Sequence, residues 1–138
     1  MIQEFKVGNL LYAILISADF KPDEESINFL TPGEFSQQLG VMLRKKGYRV
    51  DAHKHNLVDR TVRVTQEILI VRSGRCLIRI YDEISQIQIY EFEVKTGDTV
   101  MLCNGAHSID FLENTFIIEV KQGPYLGDLD KTRFEIKK

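Results

Sequence analysis

VRVTQEILIVRSGRCLIRIYDEISQIQIYEFEVKTGDTVMLCNGAHSIDFLENTFIIEV, residues 62–120, decides the fold. Runs rich in β-branched and aromatic residues alternate here with short polar turns. The run 62–71 ends at Arg72-Ser73-Gly74, and 76–81 ends at the polar turn 82–85. The run 87–94 ends at Lys95-Thr96-Gly97-Asp98, 99–103 at Asn104-Gly105, and 107–112 at Glu113-Asn114. The last run, 115–120, gives way to Lys121-Gln122-Gly123-Pro124, because proline cannot donate to a strand ladder. Short strands at such even spacing, with a turn signal after each, point to an all-β sandwich or barrel.

Upstream of this stretch, residues 10–17 form a continuous apolar run that suits a buried strand. Residues 35–43 carry two signals. Thr31-Pro32-Gly33-Glu34 matches a helix capping box with proline at the first helical position. Phe35, Gln37, Leu39, Val41 and Leu43 instead sit at period two, and the strand is preferred. Residues 48–55 also alternate, with Arg49, Asp51, His53 and His55 on one side and Tyr48, Val50, Ala52 and Lys54 on the other. The tail from residue 128 to 138 is charged and fits a short strand, a short helix or a frayed end. With 138 residues the expectation is one domain over residues 1–138, its core barrel at about 35–121.

Composition narrows the function classes. Hydrophobic residues make up 43% and charged residues 28%, as in an ordinary globular protein. A net charge of −2 and no basic cluster longer than Arg44-Lys45-Lys46 leave no footprint for nucleic acid. No segment approaches the apolar length of a membrane helix, and the N-terminal run lacks a basic start and a cleavage-site pattern. Two cysteines, Cys76 and Cys103, both in apolar runs, read as buried free thiols and not as a disulfide framework. A cytoplasmic protein without nucleic-acid or membrane partners is expected.

The chain has three histidines, His53, His55 and His107. In a strand, residues two apart project from one face, so the His53-Lys54-His55 triplet would offer two neighbouring imidazoles. Neutral imidazole is a common ligand for zinc, iron, nickel and copper. Glu67 is followed by six residues and Gly74, and Gly97 opens a short strand that leads through Gly105 to His107.

This pattern resembles the cupin superfamily, in which a His-x-His, a later Glu and a Gly form one motif and a Gly, a strand, a Gly turn and a His form a second. The matching residues are His53, His55, Glu67, Gly74, Gly97, Gly105 and His107, and the resemblance covers residues 35–121. It implies a double-stranded β-helix, or jelly-roll barrel, that holds a divalent metal (Fe, Mn, Ni or Zn) on His53, His55, Glu67 and His107. Eleven residues separate His55 from Glu67, more than the family's usual spacing, and a hairpin at 56–65 would absorb them. Asp51 and Asp59 are alternative carboxylates. Cys103 replaces the family's proline, and Phe111 stands where an asparagine is usual.

Strand faces give a separate check. If Glu67 points inward, Leu69 and Val71 do too; if His107 points inward, so do Ile109 and Phe111. A carboxylate among apolar neighbours is costly unless it is paired or metal-bound. A plain partner such as Arg63 or Arg79 is the alternative to metal. The other face of the Glu67 strand, with Ile68 and Ile70, is apolar enough to be covered by a second sheet or by the partner of a homodimer. Lys121 and Tyr125, just past the last strand, are candidate ligand-binding residues at a barrel mouth. The expected ligand is a small polar molecule resembling a sugar, keto acid or hydroxy acid. It is either acted on at the metal or bound without turnover by a module related to carbohydrate or nucleotide-sugar recognition. The residues name neither a reaction nor a catalytic group.

Overall fold

A computed structural model describes residues 1–136 of the chain. Its regular structure among those residues is ten strands and one 3-10 turn, Gly127–Leu129. The chain forms two compact units, Met1–Phe20 with the chain from Thr65 onward, and Lys21–Val64.

The first unit holds two antiparallel sheets packed as a β-sandwich. One has five strands in the order β1 (Ile2–Val7), β2 (Leu10–Ile16), β8 (Thr99–Leu102), β5 (Glu67–Ser73) and β10 (Phe116–Lys121). The other has three, in the order β7 (Gln88–Lys95), β6 (Arg75–Tyr81) and β9 (Ala106–Phe111). Period-two alternation sends one residue of each pair into a shared apolar layer. The five-stranded sheet contributes Phe5, Ala13, Leu15, Leu69, Val71, Val100 and Leu102, and the three-stranded sheet contributes Cys76, Ile78, Ile80 and Val94. Phe5 stacks on Phe92 with ring centroids 4.1 Å apart, joining β1 to β7 across the layer.

The two outward faces differ. On the three-stranded sheet, Arg75 bonds Glu93 and Glu113, and Arg79 bonds Glu91 and Asp110, a face built for water. On the five-stranded sheet the outward row is apolar. Ile14 and Met101 are fully buried, Ile68 and Ile70 half-buried, and Ile118 and Val120 on the edge strand exposed.

The second unit carries one hairpin, β3 (Ser26–Phe29) with β4 (Gly40–Leu43). Thr31 caps no helix. Its hydroxyl donates to the Gln38 side chain and accepts from the Leu39 amide, closing the loop between the two strands. The period-two signal in 35–43 therefore holds only for its second half.

The strand expected at 48–55 does not form, and the run expected from 62 begins pairing only at Glu67. Residues 51–65 are exposed on both sides of the alternation. A period-two pattern becomes a strand only when a ladder partner and a buried face enforce it, and this segment has neither. The pattern also failed to flag β1. Gly8-Asn9 between two apolar runs is a hairpin signal that identifies it in retrospect. The strands after residue 67 match the sequence expectation within one or two residues. Of the charged tail, 127–129 forms the 3-10 turn, and residues 137 and 138 lie outside the described part.

Cys76 and Cys103 are free and buried. Burial pushes the Cys103 thiol up to about 12, so it remains a packed, unreactive thiol at neutral pH. Among the described residues, no helix is long and apolar enough to cross a membrane.

Gly105 opens β9 at φ +75, and a Cβ there would lie 2.7 Å from the Tyr81 carbonyl oxygen and 2.9 Å from the Tyr12 ring. Both the left-handed backbone and the collision with a fixed carbonyl exclude a side chain. Gly105→Ala is therefore expected to cost about 2 kcal/mol or more in urea denaturation. Gly33→Ala, which meets nothing within 4 Å, is expected to stay within about 0.5 kcal/mol of the parent.

Candidate functional site

The apolar layer of the sandwich ends at two polar residues, one from each sheet. On β5 the inward series runs Val71, Leu69, Glu67, and Glu67 lies opposite Leu102 on β8 and Lys121 on β10. On β9 the inward series runs Ile109, His107, each opposite a core isoleucine of β6, Ile78 and Ile80. Neighbouring apolar residues thus fix the direction of both side chains, and at this end of the layer they meet. His107 Nε2 lies 3.1 Å from Glu67 Oε2. An ionised carboxylate only accepts, so the imidazole nitrogen is the donor.

Lys121 completes the cluster. Its ammonium lies 3.9 Å from Glu67 Oε1, 3.6 Å from Glu119 and 3.3 Å from Asp130. The Tyr125 ring sits beside the same ammonium, with 5.2 Å from nitrogen to ring centroid. The hydrogen bond from His107 holds the Glu67 carboxyl below its ordinary value. Partial burial opposes that shift, and the charge of Lys121 adds to it. Lys121 is held above its ordinary value, chiefly by its hydrogen bond to Asp130.

The sequence-derived candidates fall into two groups. Glu67, His107, Lys121 and Tyr125 stand together in the first unit. His53 and His55 belong to the exposed segment of the second unit, where their rings approach edge to face with centroids 5.4 Å apart. Asp51 and Asp59 are exposed residues of that same segment. Glu67 is bonded by His107 and lies near Lys121, while of the two arginines considered from sequence Arg79 is engaged by Glu91 and Asp110 and Arg63 is exposed. Asp130 is the functional-site residue that sequence reasoning missed. It lies in a charged tail with no periodicity, and no spacing signal marks it.

Imidazole and carboxylate are the right donor types for a first-row divalent ion. Their number falls short: among the described residues no group of three or more His, Cys, Asp or Glu side chains is arranged to hold a metal ion. An ammonium stands against Glu67 where a metal site would keep its carboxylate for the ion. The described residues at the mouth thus supply Glu67 and His107 as neighbouring donors, beside an ammonium. They form a cluster of three carboxylates, an imidazole and an ammonium, able to donate and accept hydrogen bonds.

A double-mutant cycle on Glu67→Gln and His107→Ala should give a coupling of about 1 kcal/mol in denaturant unfolding at neutral pH, a charge-assisted bond discounted for partial exposure. Glu67 is depressed in the folded state, so its stabilisation is present above the ordinary carboxylate value. The coupling should fade as pH falls through the lower, folded value. No family model, curated protein or solved structure matches the chain.

Proposed function

We propose that this chain is a small cupin-type jelly-roll domain that binds a small polar molecule at the sandwich mouth, using Glu67, His107, Lys121 and Tyr125. The observation that carries this reading is the 3.1 Å contact of His107 with Glu67. Two residues singled out by the cupin-like motifs, distant in sequence and on facing sheets, meet at the end of an apolar layer. A carboxylate, an imidazole, an ammonium and an exposed aromatic ring side by side suit a ligand rich in hydroxyls. Hydroxyl groups donate to Glu67 and accept from Lys121, and the C–H face of a sugar lies against the Tyr125 ring. A keto or hydroxy acid would place its carboxylate on Lys121. Binding without turnover is favoured, because the charged groups at the mouth are already engaged with one another.

A divalent ion (Fe, Mn, Ni or Zn) on His53, His55, Glu67 and His107 is the second reading. Its support is the donor chemistry of the neighbouring His107 imidazole and Glu67 carboxylate. The proposed partner is a second copy of the chain. The apolar outward row of the five-stranded sheet, open at Ile118 and Val120, contrasts with the charged face of the other sheet.

Native mass spectrometry of protein purified without chelator or metal-affinity resin tests these readings together. The sample would be titrated with free sugars, nucleotide sugars, and keto and hydroxy acids. The expected species is a metal-free dimer that takes up one of these ligands, with uptake lost in Glu67→Gln and kept in His53→Ala. Stoichiometric metal that disappears in both His53→Ala and His107→Ala would overturn the metal-free reading, and a monomer would remove the proposed partner.

A further inference from the structure

We propose that residues 124–134 form a strap that crosses the open end of the sandwich from one sheet to the other and closes over the Glu67–His107 mouth. The segment leaves the five-stranded sheet at the end of β10, beside Lys121. It reaches the outward side of the three-stranded sheet at Tyr81, where the edge of Phe134 meets the Tyr81 ring with centroids 5.9 Å apart at 88°. Tyr81 alternates with the inward residues Cys76, Ile78 and Ile80, so it points away from the sandwich core, yet it is 1% exposed. Its hydroxyl bonds the Ser108 hydroxyl, next along β9 from His107. The strap therefore spans the gap whose two sides carry Glu67 and His107.

Two side-chain latches hold it beyond Tyr125, whose ring lies beside Lys121. Asp130 bonds Lys121 at 3.3 Å, and its side chain is 11% exposed, although it belongs to an otherwise solvated tail. Phe134 on Tyr81 is the second latch. Among the described residues the backbone bonds of the segment are local, Leu129 to Leu126 and Asp130 to Gly127, and it belongs to no strand. Tyr125, Leu126 and Leu129 are exposed. A segment tied beyond Tyr125 by two side-chain contacts and no ladder opens at far lower cost than the sheets beneath it.

The position of Asp130 gives the strap a chemical consequence. With the strap down, the Asp130 carboxylate occupies the ammonium of Lys121, where an anionic group of a ligand would sit. With the strap up, Lys121 keeps only Glu67 and Glu119 as carboxylate partners. A ligand carboxylate or phosphate thus competes with Asp130 for Lys121, and the strap both screens the mouth and selects for an anion able to displace it. That purpose rests on the proposed function, whereas the existence of the strap does not, and its test needs neither ligand nor metal.

The test is acetylation of native protein with an N-hydroxysuccinimide ester, quantified lysine by lysine by mass spectrometry, with exposed Lys54 and Lys95 as internal references. The described ring contact of Phe134 is with Tyr81, so Phe134→Ala changes Lys121 labelling by lifting the strap. A several-fold rise at Lys121 in Phe134→Ala and in Asp130→Asn is expected, with Lys54 and Lys95 unchanged. Amide exchange should quicken across 126–134 and stay slow in β5 and β8. Labelling of Lys121 at the parental rate in Phe134→Ala overturns the proposal. So does loss of protection in β5 and β8 in both variants, since the segment would then be part of the folding core and not a strap.

Discussion

Every inward position of the sandwich answers to one constraint: what enters the layer between the sheets must be apolar, or must find its hydrogen-bond partner there. Leu69 and Val71 on β5 meet the first condition, as do Ile78 and Ile80 on β6. Glu67 and His107 stand where the layer reaches solvent, and they meet the second condition by bonding one another. The contact spans the two sheets, and the Lys121 ammonium lies 3.9 Å from the same carboxylate. The inward neighbours of both residues on their own strands are apolar and offer no hydrogen bond, so the pair and the direction of both strands support one another.

That constraint also explains which parts of the fold were legible in the sequence. Strands β5 to β10 each place one face in the shared layer, and the alternation enforced by that face gives the limits of β6 to β10 to within a residue, whereas β5 starts five residues later than its apolar run. Gly74 and Gly105 were visible as turns because their backbones have φ values of +88 and +75, and both lie so close to neighbouring backbone that a side chain has no room. Residues 48–55 show the converse. They alternate as regularly as β9, but no sheet stands beside them and no face is buried, so the pattern has no structural consequence. Periodicity reports a strand only together with a surface for it to cover.

The candidate site was half legible for the same reason. Glu67 and His107 were readable because apolar neighbours at i+2 and i+4 fix their direction. Lys121 and Tyr125 were readable from their place just past the last strand. Asp130 was not: a carboxylate in an aperiodic charged tail carries no mark of the lysine it will meet. His53 and His55 are close to each other, as a His-x-His triplet requires in any extended backbone, but that proximity follows from two residues of chain and not from the fold. The apolar outward row of β5 was also readable. Ile68 and Ile70 proved to lie in a continuous row with Met101, Ile14, Ile118 and Val120.

The protonation of the two ring nitrogens of His107 tests the Glu67–His107 contact most directly. Long-range nitrogen–proton correlation at neutral pH distinguishes a nitrogen that carries a proton from one that does not. A proton on Nε2 is expected whether or not the ring is charged, because Glu67 can only accept, and the signal should shift in Glu67→Gln. An unprotonated Nε2 in the native protein, free or bound to a metal, would contradict the bond on which the site and the closing of the sandwich both rest.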